Sequence, residues 1–200
     1  HRLGACPDGP GARSQPLDHA SARTMTAFVA LLRAVNVGGT GRLPMSDLKA
    51  LCEAAGFESV QTYIASGNVV FTSNGTEAQV KSALEQALAA YAGKPVGVCV
   101  RTAAEMACVL HDDPFPEAPR KFTMAIFLDT PPPPDAIDHA VGRADELIAL
   151  GLREIYVFYG SGQGPSKLRI PAAKTGTARN MNTVAKLAAM AADLTEREPE

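Results

Sequence analysis

Residues 27–33, AFVALLR, form a near-continuous apolar run of strand length that ends at a glycine-rich stretch, which suits a strand buried on both faces. A helix is predicted next. Pro44 takes its first position and Asp47 its first turn; Met45, Leu48, Leu51, Cys52 and Ala55 mark one face, and Gly56 stands just past the end. Residues 57–65 and 68–73 read as two strands joined by a tight turn at Ser66-Gly67. Thr76 with Gln79 three residues later forms a capping-box pattern, and Val80, Leu84, Leu88 and Tyr91 recur at helical spacing until Gly93. Residues 95–101 close the unit with alternating Val96, Val98 and Val100. The order is β-α-β-β-α-β, the split βαβ or ferredoxin-like arrangement, and right-handed crossovers make it natural.

After a short helix over 103–110, again opened by a capping-box pair (Thr102, Glu105), the pattern restarts. Phe122, Met124, Ile126 and Leu128 alternate as a strand, and the prolines at 131–134 end it and pre-set a helix over about 135–143, with Ile137, Ala140 and Val141 inward. Residues 146–150 and 154–159 predict a hairpin, 167–170 a short extra strand, and about 178–194 a final helix carrying Val184, Leu187, Ala188 and Ala191. The expected fold is α+β: two tandem ferredoxin-like (split βαβ) halves, antiparallel sheets with helices packed on one face. The first half, 25–110, is complete. The second, 121–200, is expected to lack its last strand and to carry a basic loop and C-terminal helix instead. Residues 111–120, HDDPFPEAPR, are proline-rich and polar and read as the linker. Residues 1–24 are rich in Gly, Pro and polar residues, lack an apolar core of signal-peptide type, and read as a disordered extension ahead of a natural start at Met25.

Composition narrows the function classes. A hydrophobic content of 46% over 200 residues supports a full core, and 19 basic against 21 acidic side chains give a net charge of -2, so no global field draws the chain to nucleic acid or an anionic membrane. No apolar run reaches membrane-spanning length. The cysteines, Cys6, Cys52, Cys99 and Cys108, contain no C-x-x-C pair, and His1, His19, His111 and His139 add no zinc spacing. No metal or cofactor is expected. Cys52 and Cys99 fall in apolar patterns as small hydrophobes, and a reduced-thiol, cytoplasmic setting follows. Asp112 with Asp113, and Asp145 with Glu146, lack acid/base spacing and read as solvated.

Three loop segments carry more Gly, Asn, Ser and basic residues than turning requires. The first, 33–42, leaves a strand end before a helix, so that Arg33, Asn36 and the Gly38 and Gly39 amides can form an anion cradle, although neither P-loop nor dinucleotide glycine spacing is present. The second is the hairpin tip with Ser66 and Asn68; no histidine or acid nearby in sequence serves Ser66 as a base, which removes a serine-hydrolase reading. The third, 160–192, contains Lys167, Arg169, Lys174, Arg179 and Lys186 and no acidic residue, and it sets Arg179, Asn180 and Asn182 at a helix start, where a phosphate or carboxylate is favoured.

Residues 31–71, LLRAVNVGGTGRLPMSDLKALCEAAGFESVQTYIASGNVVF, resemble the opening of the domain of unknown function 1697 family. Residues 153–168, REIYVFYGSGQGPSKL, and 177–191, TARNMNTVAKLAAMA, are similar to its later motifs. The resemblance implies a bacterial, cytosolic protein of tandem ferredoxin-like halves and carries no established activity. Two departures stand out: Met181 replaces an expected aromatic, usually Trp, and the segment between Lys167 and Thr177 is short. The expected function is binding of a small anionic or phosphate-bearing ligand through Arg33, Asn36, Gly38, Gly39, Ser66, Asn68, Lys167, Arg179, Asn180 and Asn182, by a monomer or weak homodimer. An RNA- or single-strand-binding module, stacking bases on Tyr63, Phe71, Tyr156 and Phe158, is a rival that the acidic balance and the lack of Trp disfavour. A protein-interaction or dimerisation module without a ligand is the other.

Overall fold

The computed structural model describes residues 24–34 and 42–197. In the first half, β1 (Thr26–Leu32), α1 (Met45–Ala54), β2 (Glu58–Thr62), β3 (Asn68–Ser73), α2 (Glu77–Ala92) and β4 (Val98–Thr102) follow in the expected order. Their four strands form one antiparallel sheet in the order β2-β3-β1-β4. Most sequence signals act as anticipated. Pro44 stands at the N-cap of α1, one residue before the first helical position expected for it, and Gly56 follows the helix at φ 88°. Thr76 and Gln79 close a capping box on α2, Gly93 ends that helix in a left-handed conformation, and Thr102 and Glu105 cap α3 (Ala103–His111).

The second half differs from its expected form in four ways. Residues 134–139 make successive turns in place of a helix, because Gly142, at φ 71°, and the preceding prolines break the helical run. Its final strand is present: β5 (Thr123–Phe127), β6 (Leu147–Leu150), β7 (Glu154–Phe158) and β8 (Thr177–Asn180) form a second antiparallel sheet, ordered β6-β7-β5-β8, equivalent to the first. The half thus has four strands, with turns in place of the helix expected over about 135–143. The closing helix, α4 (Met181–Glu196), starts later than expected because Asn180 is its N-cap, accepting from Thr183 N at 2.9 Å. The segment 167–170 contributes only a bridge between Arg169 and Val141.

Strand alternation sorts the cores. Phe28, Ala30, Leu32, Val69, Phe71, Val98 and Val100 face α1 and α2, where Leu48, Cys52, Val80, Leu84 and Leu88 complete a buried layer. Val29, Leu31, Val70 and Cys99 face the other way and meet Ala125, Phe127 and Tyr156 of the second sheet, with Met106 and Val109 of α3 and Met181, Val184, Leu187 and Ala191 of α4 between them. α3 and α4 therefore fill a layer shared by both sheets, and Phe115, in the segment read as a linker, packs against it. The outer face of the second sheet carries Ile126, Leu128, Ile155, Val157 and Tyr159, covered by turns and by Leu168 and Ile170.

Sheet edges approach closely where the layer narrows. Cys99 Sγ lies 3.6 Å from Phe127 O, and Thr177 Oγ1 lies 3.4 Å from Leu32 O. Burial pushes the Cys52 thiol up to about 12 and the Cys99 thiol up to about 11, as expected of cysteines that serve as hydrophobes. Gly176 lies at the same seam: a methyl there would sit 2.7 Å from Phe127 O and 2.8 Å from both Ile126 Cγ2 and Leu128 Cδ2. Gly176→Ala is expected to lower stability by about 1–3 kcal/mol. An unchanged urea midpoint would contradict the close approach.

Candidate functional site

β8 is only TARN, and its alternation turns Thr177 and Arg179 toward the first sheet while Ala178 faces outward. Arg179 is 7% exposed. Its Nε donates to Asn68 Oδ1 at 2.6 Å and its Nη1 to Thr177 Oγ1 at 2.6 Å. Nη2 reaches the carbonyls of Leu32 at 2.9 Å, Ser66 at 3.0 Å and Gly67 at 3.4 Å. Asn68, fully buried, is held by its own Nδ2 bonds to Tyr63 O at 3.0 Å and Ser66 Oγ at 2.9 Å. The side chain from the end of the second sheet thus clasps the hairpin tip and the β1 end of the first.

Arg33 makes a second clasp, from Nε to Gly176 O at 3.2 Å and from Nη2 to Lys174 O at 2.9 Å. Burial pulls the Arg179 guanidinium down to about 10, still well above neutral pH, so it stays charged. Neither arginine has a carboxylate ion-pair partner among the described residues. The hairpin tip that Arg179 grips holds Ile64 at φ 48°, an uncommon conformation for a β-branched residue, with Ser66 exposed and Gly67 buried at φ 81°.

Of the residues expected to form a site, Ser66, Asn68 and Arg179 come together, with Asn180 capping α4 next to Arg179 and Asn182 exposed in that helix's first turn, while Arg33 reaches the β8 approach through Lys174 and Gly176. Lys167 does not join them. It lines a separate cleft of about 410 Å³ on the second half, together with Asp145, Glu146, Ser161 and Ser166. Asn36, Gly38 and Gly39 lie outside the described residues. Glu146, read as solvated, is 3% exposed; it accepts from Ser166 Oγ and from Ala144 N, and these bonds hold its carboxyl below the usual range. Of the four aromatics named for base stacking, Phe71 and Tyr156 are buried, which closes the sheet faces as stacking platforms.

Sequence reasoning missed the opposite clasp. Arg101, 1% exposed, pairs with Glu154 through Nε at 3.1 Å and donates to the carbonyls of Val100, Leu128 and Arg153. Arg153 in turn pairs with Glu77 at 2.8 Å and with Glu105. Strand alternation puts Arg101 on the Cys99 face, opposite Val98 and Val100, and the available signal was that this second face also carries apolar residues in the paired strand, Val29 and Leu31.

The known proteins that resemble the chain agree with this architecture. The conserved bacterial protein SP0830 from Streptococcus pneumoniae has a similar structure, with a TM-score of 0.71 at 24% identity, covering 84% of this chain and 99% of that one. At that identity the likeness speaks for the fold alone. No curated protein matches the sequence. The model of the family described as "Protein of unknown function (DUF1697)" matches residues 25–156, and the chain therefore belongs to the DUF1697 family.

Proposed function

We propose that the protein binds a small anionic or phosphate-bearing ligand at the rim of the junction where Arg33, the Ser66 tip and the first turn of α4 converge. The observation behind this reading is the pair of guanidinium groups, Arg33 and Arg179, that lack a carboxylate partner among the described residues. Their donors are directed at backbone carbonyls and at Asn68, so neither group is a simple anion fork; Arg179 acts through its field from a buried position. Direct contacts would come from the exposed Ser66 hydroxyl, the exposed Asn182, and the amides that open α4. The stretch 160–192 adds Lys174 and Lys186 and no acid.

Thermal-shift titration with pyrophosphate, nucleotides and citrate tests this. A ligand at one hundred times its Kd should stabilise the native state by about 2.7 kcal/mol. Asn182→Asp should leave the unliganded Tm unchanged or slightly raised, since an acid in a first helical turn is favourable by about 0.3–1 kcal/mol. The same substitution should abolish the ligand-induced rise. A flat response of the unsubstituted protein across the panel removes the proposal.

A further inference from the structure

A second cleft, of about 550 Å³, shares no lining residue with the arginine junction and lies between the outward face of α3 and the β6–β7 hairpin. Its volume falls in the range of small-molecule sites, and it opens between two parts of the fold, where such sites concentrate. Ala104, Cys108 and Asp112, one helical turn apart in succession, form one wall, and Leu150 and Leu152 form the other. The polar groups at the floor are already engaged. Tyr156 Oη donates to Val109 O at 2.9 Å, and Glu154 is taken up by Arg101 Nε and by Arg153 N at 3.0 Å. Arg153 is bound by Glu77 and Glu105. What remains for a ligand is carbon, including Leu152, 77% exposed at the hairpin tip.

Among the described residues, the charge left unmatched by an arginine or lysine at the cleft is that of Asp112, since Arg153, which also lines it, is taken up by Glu77 and Glu105. Asp112 is exposed and its carboxylate meets the ring of His111, itself exposed, at 3.0 Å. Asp113 follows it, accepting from Phe115 N at 2.9 Å. Burial first, then the carboxylates of Glu154, Asp112 and Asp113, push the Tyr156 phenol upward.

We infer that this cleft binds a small molecule with an apolar body and a cationic amine, the body lying on Val109, Leu150 and Tyr156 and the ammonium facing Asp112. Charge complementarity selects the amine over a carboxylate of the same shape, and the apolar walls select a hydrocarbon or aromatic body over a polar one.

Cys108 reports occupancy directly, because it lines the cleft and is exposed, whereas Cys52 and Cys99 are buried. In a Cys6→Ser background, phenethylamine and tryptamine should slow thiol labelling of Cys108 by roughly tenfold at saturation, since the occupied wall no longer admits the reagent. Phenylpropionate and indole-3-acetate should not. Asp112→Asn should weaken the amine effect by about three- to fivefold, the scale of an exposed ion pair, with Tm unchanged. Ala104→Trp, at an exposed helical position, should fill the cleft and abolish protection while the protein stays folded. Equal protection by amines and carboxylates, or none by either amine, overturns the inference. Pyrophosphate should leave labelling untouched, so this site and the arginine junction stand or fall separately.

Discussion

Replacement of Arg179 by methionine is expected to cost about 3 kcal/mol or more of folding stability, a loss on the scale reserved for broken buried polar networks. Methionine keeps most of the volume and removes the donors. Asn68 Oδ1 then faces a buried site without its 2.6 Å partner, the carbonyl of Ser66 loses its donor, and that of Leu32 keeps only Thr177 Oγ1 at 3.4 Å. Each stranded acceptor costs about 1–3 kcal/mol, and relief from burying a charge offsets part of the sum. Arg179→Lys should recover only a fraction, because one ammonium cannot span Asn68, Thr177 and three carbonyls as a planar guanidinium does. Urea unfolding would measure both variants. A methionine variant within about 1 kcal/mol of the parent would mean that the clasp is not a stability determinant. It also follows that loss of anion binding on mutating Arg179 would say little about contact, which is why Asn182 is the better probe of the junction.

The second large effect belongs to Arg101 and Glu154. Arg101→Met alone leaves a carboxylate 6% exposed without its guanidinium, and Glu154→Leu alone leaves that guanidinium beside Phe127 with carbonyls as its acceptors. Each single change should cost about 3–5 kcal/mol. The double variant should return most of that loss, to within about 1–2 kcal/mol of the parent, because an apolar pair in the same volume escapes the desolvation of both charges. The coupling between the two substitutions is the measured quantity. Additive losses would show that each side chain is held by its separate carbonyl and amide bonds and that the ion pair itself contributes nothing.

The sequence was most legible where local chemistry and tertiary packing agree. Thr76 with Gln79, Thr102 with Glu105, and Gly93 each cap a helix whose apolar face repeats at helical spacing, and the structure uses all of them as expected. It was least legible at 177–180. The final helix is expected from about 178, yet 177–180 form a strand whose inward positions are a threonine and an arginine, so no apolar alternation announces it. The corrective signal lay one step on: Asn180 is itself a preferred N-cap, and Met181, Val184, Leu187, Ala188 and Ala191 begin their period directly after it. The 135–143 segment failed for another reason. Ile137, Ala140 and Val141 have helical spacing, but the run is too short to hold a helix against the prolines before it and Gly142 after it. Within the candidate site, Ser66, Asn68 and Arg179 stand in segments that read as loops, and the structure joins these three by hydrogen bonds although Asn68 and Arg179 belong to strands. The backbone partners of Arg33 and Arg179 were not legible, since carbonyl acceptors carry no side-chain signature.

The layer of helices shared by the two sheets has a consequence for biosynthesis. α4 follows every strand in chain order, yet it covers Val29, Leu31 and Val70 of the first sheet. Synthesis proceeds at roughly 5–20 residues per second, so several seconds separate the emergence of β4 from that of α4. Through that interval the nascent first sheet has its α1 and α2 side closed and its other side bare of the helix that will seal it. The growing chain therefore presents a flat aliphatic surface to chaperones and to neighbouring nascent chains until its final helix docks.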